Sequence, residues 1–423
     1  MLNKLLNINS SYLKSFLLIL LIVIIFSPEQ SLAPAISLEK LSYWSPYNFK
    51  LGIFTIIDYV FVFFSFLLLY KFAFSSLNLG KFNQLFLFYL IFLIIGIIYN
   101  IFINFSTKAF FFDLKTISYF LLTYLILINF LPNLRFNINY FLAILLIIFL
   151  GSFFDNFIIN KFYKPQYTSQ FFSKIYFKNE IYPALLVGLC FFNKFNIKIK
   201  LILFFILGFY VFLYYDTYSL GALYVSLVSI YIGILIFFFY QYKGTKNYLV
   251  FFFIFLNIFL LIHILPVLMI FIKNYFSGVK VDGWLIRELE FFNFIKNSLS
   301  DFTIIFGKGI GATWNEYFTS LYTNIYSTGP FYKEYKYIWH SSIARQFFMW
   351  GIFGYAFLVY FIYSVFYKLS KKKNTKNNLL SFYLVTIVYI VLISPGILKI
   401  SIIAGIILFF IERELYYKTN NES

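Results

Sequence analysis

Charge is scarce in this chain, and acidic charge is the scarcest. Only 12% of its 423 residues are charged, with 34 Lys and Arg against 16 Asp and Glu, where a soluble domain carries about 25%. Hydrophobic residues make up 62% of the sequence and mean hydropathy is +0.83. That balance excludes a soluble enzyme, a disordered protein and a coiled coil. The single cysteine, Cys190, lies in an apolar stretch, which excludes an internal disulfide and a cysteine metal site. Arginine is limited to Arg135, Arg287, Arg345 and Arg413, and histidine to His263 and His340, so each of these six residues is conspicuous.

The formal charge of +18 would fit nucleic acid in a soluble protein. Here the basic residues flank apolar runs, so they read as membrane anchors and no nucleic-acid partner is expected. The 64 Phe and 38 Tyr, with abundant Ile, Asn and Lys, have the look of an A+T-rich gene. They are not evidence of an aromatic cage.

What the chain does contain is apolar sequence of membrane-spanning length, recurring from end to end. A helix needs about 20 apolar residues to cross a bilayer. The expected fold class is therefore an all-α polytopic membrane protein of twelve transmembrane helices, near 13–27, 51–70, 85–104, 117–131, 139–159, 181–193, 201–215, 220–240, 248–271, 343–367, 378–394 and 397–411. The first run, after Lys4 and Lys14, has the flanks of a signal peptide. Ser27-Pro28-Glu29-Gln30 is a poor cleavage site and more spans follow, so it is read as a span.

Orientation follows from Lys and Arg in short loops. Lys368, Lys371, Lys372, Lys373 and Lys376 crowd one such loop, which should face the cytoplasm. Alternation then puts both termini inside, with the loops that hold Lys71 and Lys81, Arg135, Lys194 to Lys200, and Lys243 and Lys246. The loop 160–180 disagrees: it is external by alternation, yet it carries Lys161, Lys164, Lys174 and Lys178. The organisation expected is 1–271 with helices one to nine, a large external loop or cap at 272–342, and 343–423 with helices ten to twelve and a cytoplasmic tail. Most connections are short, and a long one is usually functional or disordered. Loop 272–342 holds Trp284, Trp314 and Trp339 and is expected to fold over the outer face, with amphipathic helical pieces near 284–299.

Several residues of that loop could carry chemistry. Arg presents a planar fork of donors suited to phosphate or carboxylate, which makes Arg287 and Arg345 candidates for a bidentate anion contact. The competing reading for Arg287 is an ion pair with Glu290 at helical spacing. His340, just before Ser341-Ser342 and the next span, can act as a base near neutral pH. His263, followed by Pro266 inside a span, is better read as satisfying backbone that the proline frees. Phe306-Gly307-Lys308-Gly309-Ile310-Gly311 is either a tight turn whose N–H groups approach an anion or a plain turn. Asp58, within the second span, has no assignment.

The order Arg287, then Phe306-Gly307-Lys308-Gly309-Ile310-Gly311, then His340-Ser341-Ser342, a helix start and Gly351-Ile352-Phe353-Gly354 resembles the O-antigen polymerase and O-antigen ligase superfamily of bacterial surface-polysaccharide glycosyltransferases. The likeness covers 284–360 specifically and elsewhere only the layout of spans around a large loop between the ninth and tenth. It implies a GT-C-like fold in the bacterial inner membrane and a transfer that uses neither metal nor cofactor. The implied partners are a glycan on undecaprenyl diphosphate in the outer leaflet, the bilayer, and a chain-length regulator protein. By the resemblance, Arg287 matches the loop arginine that faces the leaving diphosphate, and His340 matches the histidine that accepts or orients the acceptor hydroxyl. Arg345, Lys308, Lys164 and Lys174 are then expected to bind diphosphate or sugar.

At one motif the chain departs from that superfamily. Many carry Thr-x-Ser-Arg-Gly between spans seven and eight, where this chain reads Thr217-Tyr218-Ser219-Leu220-Gly221-Ala222. With Leu220 in the arginine's place, a repeat-unit polymerase is expected ahead of a ligase or a protein glycan transferase. A lipid-linked oligosaccharide flippase is the reading from another class. A flippase is expected to have short external loops and cations lining a cavity, whereas here Arg and His gather in one large loop.

Overall fold

The computed structural model describes residues 11–26, 50–52, 54–102, 107–134, 196–216, 296–299, 303–312, 314–315, 335–336, 342–371 and 398–416. Among them the fold is helical. The helices are α1 (Ser11–Phe26), α2 (Ile56–Phe74), α3 (Asn83–Phe102), α4 (Thr107–Phe130), α5 (Ile197–Asp216), the single turn α6 (Thr303–Phe306), α7 (Ser342–Lys371) and α8 (Leu398–Tyr416). Two antiparallel ladders join β1 (Lys50–Leu51) to β2 (Phe54–Thr55) and β3 (Trp314–Asn315) to β4 (Tyr335–Lys336). The seven long helices overlap seven of the expected spans. The other five, 139–159, 181–193, 220–240, 248–271 and 378–394, lie outside the described residues.

Two helical stretches, Ile56–Phe74 and Phe110–Phe130, are long and apolar enough to cross a bilayer. Helix α2 is apolar on both sides. Ile57, Phe61, Phe64 and Leu68 are buried, while Val62, Phe66, Leu69 and Phe72 are exposed. An outward face of this kind suits lipid rather than water.

Two helix starts differ from expectation, each for a physical reason. Helix α2 begins at Ile56 rather than at 51, because Lys50 and Leu51 pair with Thr55 and Phe54, with Gly52 at φ 68° after the first strand. Asp58, three residues after the N-cap Thr55, then accepts the Thr55 N–H at 2.8 Å, half of a capping box. Helix α4 begins at Thr107 rather than near 117, taking Asp113 and Lys115 into the helix. Both find partners: Asp113 accepts a backbone N–H from Gly311 at 3.0 Å, and Lys115 pairs with Asp58 at 2.7 Å. Charge therefore does not end the helix here.

Helices α4 and α8 pack along one another at the centre of the described structure. Tyr124 to Leu131 are buried without interruption, as are Ile407 to Glu412. At Gly405 a Cβ would run into the Phe120 carbonyl and the Thr123 side chain, so a small residue sets the approach of the two backbones.

At one end of this pair a polar network gathers. Glu412, fully buried, accepts the Tyr124 hydroxyl and the Lys81 N–H, the latter at 3.0 Å. Asn129 and Asn78 bond reciprocally at 2.9 and 3.0 Å, and Lys71 donates to the Asn129 carbonyl at 2.9 Å. Arg413 donates to the Leu134 carbonyl, and Lys368 to the Tyr416 hydroxyl at 3.1 Å. Segments that alternation assigns to one side of the membrane thus meet at one end of the helices.

Replacing Glu412 with Leu removes the acceptor of the fully buried Tyr124 hydroxyl and of the part-buried Lys81 N–H. It should lower unfolding free energy by about 3 kcal/mol in denaturant titration of the purified protein. Glu412→Gln keeps an acceptor oxygen and should lose clearly less.

Candidate functional site

The segment Gly307–Ala312 is the chemical oddity of the structure. It is non-helical, buried throughout, and inserted among α3, α4 and α7. Gly307, Gly309 and Gly311 have φ of 70°, 76° and 82°, a conformation open to glycine and costly to residues with a Cβ. Space demands glycine as well. A Cβ would collide with backbone of Met349 and Gly351 at position 307, of Gly96 at 309 and of Phe110 at 311. The contacts at Gly96 and Asp113 lie about 9 Å from the ends of α3 and α4 nearest the α3–α4 connection, by the helical rise. Part of the expected cap is therefore packed between helices instead of lying over them.

Five consecutive N–H groups in this segment have protein acceptors. Gly307 donates to the Thr303 carbonyl at 2.7 Å, Lys308 to Phe348 at 2.9 Å, Gly309 to Met349 at 2.9 Å and Ile310 to Phe92 at 3.2 Å. Gly311 donates to the Asp113 carboxylate at 3.0 Å. The Phe348 and Met349 carbonyls are free to accept because α7 is broken at Gly351 (φ 63°, ψ −175°). The broken helix and the glycine segment complete one another's hydrogen bonding. The reading in which these N–H groups approach an anion is corrected accordingly: they are spent on holding the segment in place.

Lys308 is the cation carried by this segment. It is 5% exposed, and its Nζ lies 5.0 Å from the Tyr99 ring centre and 4.8 Å from that of Phe348, within cation–π range. An aromatic wall continues behind it. Phe88, Tyr89 and Phe92 of α3 pack edge-on or tilted against Trp350 of α7 at 5.0–5.8 Å between ring centres. Tyrosine and phenylalanine here chiefly pack helix against helix.

A second charged group stands beside α2 and α4. Asp58 pairs with Lys115 at 2.7 Å and accepts the Thr55 hydroxyl at 2.6 Å and the Tyr119 hydroxyl. Tyr119 stacks on Phe61 with ring centres 3.8 Å apart. Asp58, unassigned from sequence, is thus a helix-capping and interhelical residue with its acceptor capacity in use. Its signal was legible in the Thr55-x-x-Asp58 spacing.

Of the residues expected at the site, Arg287, His340, Lys164 and Lys174 lie outside the described residues, as do Leu220 and His263. The backbone of Arg345 lies in the first turn of α7, one turn before Phe348. That puts it about 4.5 Å along the helix axis from the carbonyl that accepts the Lys308 N–H. Lys308 is buried among rings. The structure thus brings Lys308 and the backbone of Arg345 near the helix break and joins to them Asp113, Tyr99 and Phe348, which sequence reasoning missed. Only Asp113 carried a usable signal, as an acid in an apolar run.

Gly309→Ala should lower stability by about 1–2 kcal/mol from the left-handed backbone and by more through the Cβ contact with the Gly96 backbone, and thermal unfolding of the purified protein would show it. Gly208, inside α5 with open space around it, is the control. Gly208→Ala should be neutral or stabilising by up to about 1 kcal/mol.

Compared with known proteins, the chain matches no family model, no curated protein and no solved structure, so its functional reading rests on its own residues.

Proposed function

We propose that the protein is a twelve-span, GT-C-like glycosyltransferase of the O-antigen polymerase type. It joins undecaprenyl-diphosphate-linked repeat units into surface polysaccharide at the outer face of the bacterial inner membrane, with both termini in the cytoplasm. One observation supports this reading above the others. Two distant parts of the motif string, Gly307-Lys308-Gly309 and the helix break at Gly351, are hydrogen-bonded to each other, with the backbone of Arg345 one turn away. Non-helical backbone at membrane depth is tolerated where it is buried in protein or lines a cavity, and it recurs at sites of function.

The chemistry is a displacement at the anomeric carbon of the donor. An acceptor hydroxyl attacks that carbon and its proton passes to the His340 imidazole. The bond from the anomeric carbon to the diphosphate oxygen breaks, and the electron pair leaves with the diphosphate. Negative charge grows on the leaving group, so cations aimed at it stabilise the transition state more than the ground state. Arg287 takes the main share, with Lys308 and Arg345 beside it. Lys164 and Lys174 hold the diphosphate where Leu220 replaces an arginine.

In a strain lacking its own copy, His340→Ala or Arg287→Ala should abolish long polysaccharide while the variant accumulates normally in the membrane. Unchanged chain length for both variants sinks the assignment. Loss of a polymerase leaves acceptor capped with one repeat, whereas bare acceptor with accumulated lipid-linked polymer identifies a ligase. Transfer by the purified protein should be indifferent to a chelator.

A further inference from the structure

Three glycines leave the buried Lys308 and Ile310 as the only side chains of the segment Gly307–Gly311, and the hydrogen bonds of its backbone fix it against the surrounding helices. Toward α3 and α7 the acceptors are main-chain carbonyls of Phe92, Phe348 and Met349. Toward α4 the acceptor is a side chain, the Asp113 carboxylate, 3% exposed and 3.0 Å from the Gly311 nitrogen. A carbonyl of an intact helix has one lone pair left for a neighbour, as Phe92 shows with the longer 3.2 Å bond from Ile310, whereas the Asp113 carboxylate reaches out from α4 with acceptor capacity that its helix does not use. A hydrogen bond to a carboxylate is about twice as strong as one to a neutral acceptor. An acid buried in a membrane-length apolar helix is costly, which makes it a candidate for function.

We propose that Asp113 is a positioning residue for Lys308. By holding Gly311 against α4 it closes the open end of the segment, whose other end is bonded to the broken α7. It thereby keeps the Lys308 ammonium between Tyr99 and Phe348. Its consequence for catalysis rests on the glycosyl-transfer reading, in which Lys308 faces the leaving diphosphate; the positioning itself does not.

The test uses full-length protein in proteoliposomes and two independent readouts. The first is labelling of Lys308 by an amine-reactive reagent, quantified by mass spectrometry. In Asp113→Leu, Lys308 should label about tenfold faster through local opening. In Asp113→Asn, whose amide oxygen still accepts the Gly311 N–H, labelling should stay within about twofold of the native rate. Should Asp113→Leu not accumulate, Asp113→Ser, whose side chain stops short of Gly311, takes its place.

The second readout is transfer from undecaprenyl-diphosphate glycan extracted from the deletion strain. Asp113→Leu should lower kcat by about 100-fold, the effect of a misplaced catalytic group, with donor KM little changed and Asp113→Asn largely restoring the rate. Combined with Lys308→Ala, Asp113→Leu should add nothing, because the two residues act as one unit. Native labelling of Lys308 in Asp113→Leu overturns the positioning, and multiplicative losses in the double variant overturn its link to catalysis. Faster labelling in Asp113→Leu with no transfer by the native protein sinks only the glycosyl-transfer reading and leaves the positioning standing.

Discussion

A peptide group inside an apolar helical array must be hydrogen-bonded or it costs several kcal/mol, and the segment Gly307–Gly311 is where this structure meets that demand outside its helices. Its N–H groups find acceptors on α6, α7, α3 and α4 in succession. Reciprocal glycines make the fit possible: Gly96 admits Ile310 and Gly309, and Gly351 admits Gly307. The break in α7 belongs to the same arrangement. Straightening α7 would reclaim the Phe348 and Met349 carbonyls and leave Lys308 and Gly309 with unpaired N–H groups. The segment and the break are mutually required.

Three acids among the described residues serve a common purpose. Asp58 accepts the N–H of Thr55, Asp113 that of Gly311 and Glu412 that of Lys81. In each case a carboxylate on a helix holds backbone that no helix or sheet supplies with a partner. Basic residues follow a complementary pattern at the helix ends, where Lys71 and Arg413 donate to the carbonyls of Asn129 and Leu134. Among the described residues, these charged groups thus join backbone at helix ends and in non-helical segments to helices. Hydrogen bonds to charged groups are the stronger kind, which suits them to joints that apolar packing cannot specify in register.

Aromatic residues supply the bulk between those joints. The α3–α7 contact is built from Phe88, Tyr89, Phe92, Trp350 and Phe357, and the Lys308 ammonium sits against Tyr99 of α3 and Phe348 of α7. Neither ring is basic enough to neutralise a charge, yet both flank the buried ammonium. In the proposed reaction this gives a cation that is preorganised and poorly hydrated, the state in which a developing diphosphate charge is stabilised most.

Hydropathy alone located the seven long helices of the described structure, because the length of an apolar run is legible without knowing which helices it packs against. Helix starts were less legible. Thr55-x-x-Asp58 could have moved the start of α2 to Ile56, but the ten-residue extension of α4 depends on Asp113 and Lys115 finding partners on Gly311 and Asp58, residues remote in sequence. At the candidate site, the glycine pattern of 307–311 and 351–354 announced unusual backbone without saying that the two stretches bond to each other. What tertiary structure alone decided is the fate of the glycine N–H groups and the burial of Lys308. Both follow from which carbonyls a broken helix leaves open, and no local pattern of residues carries that information.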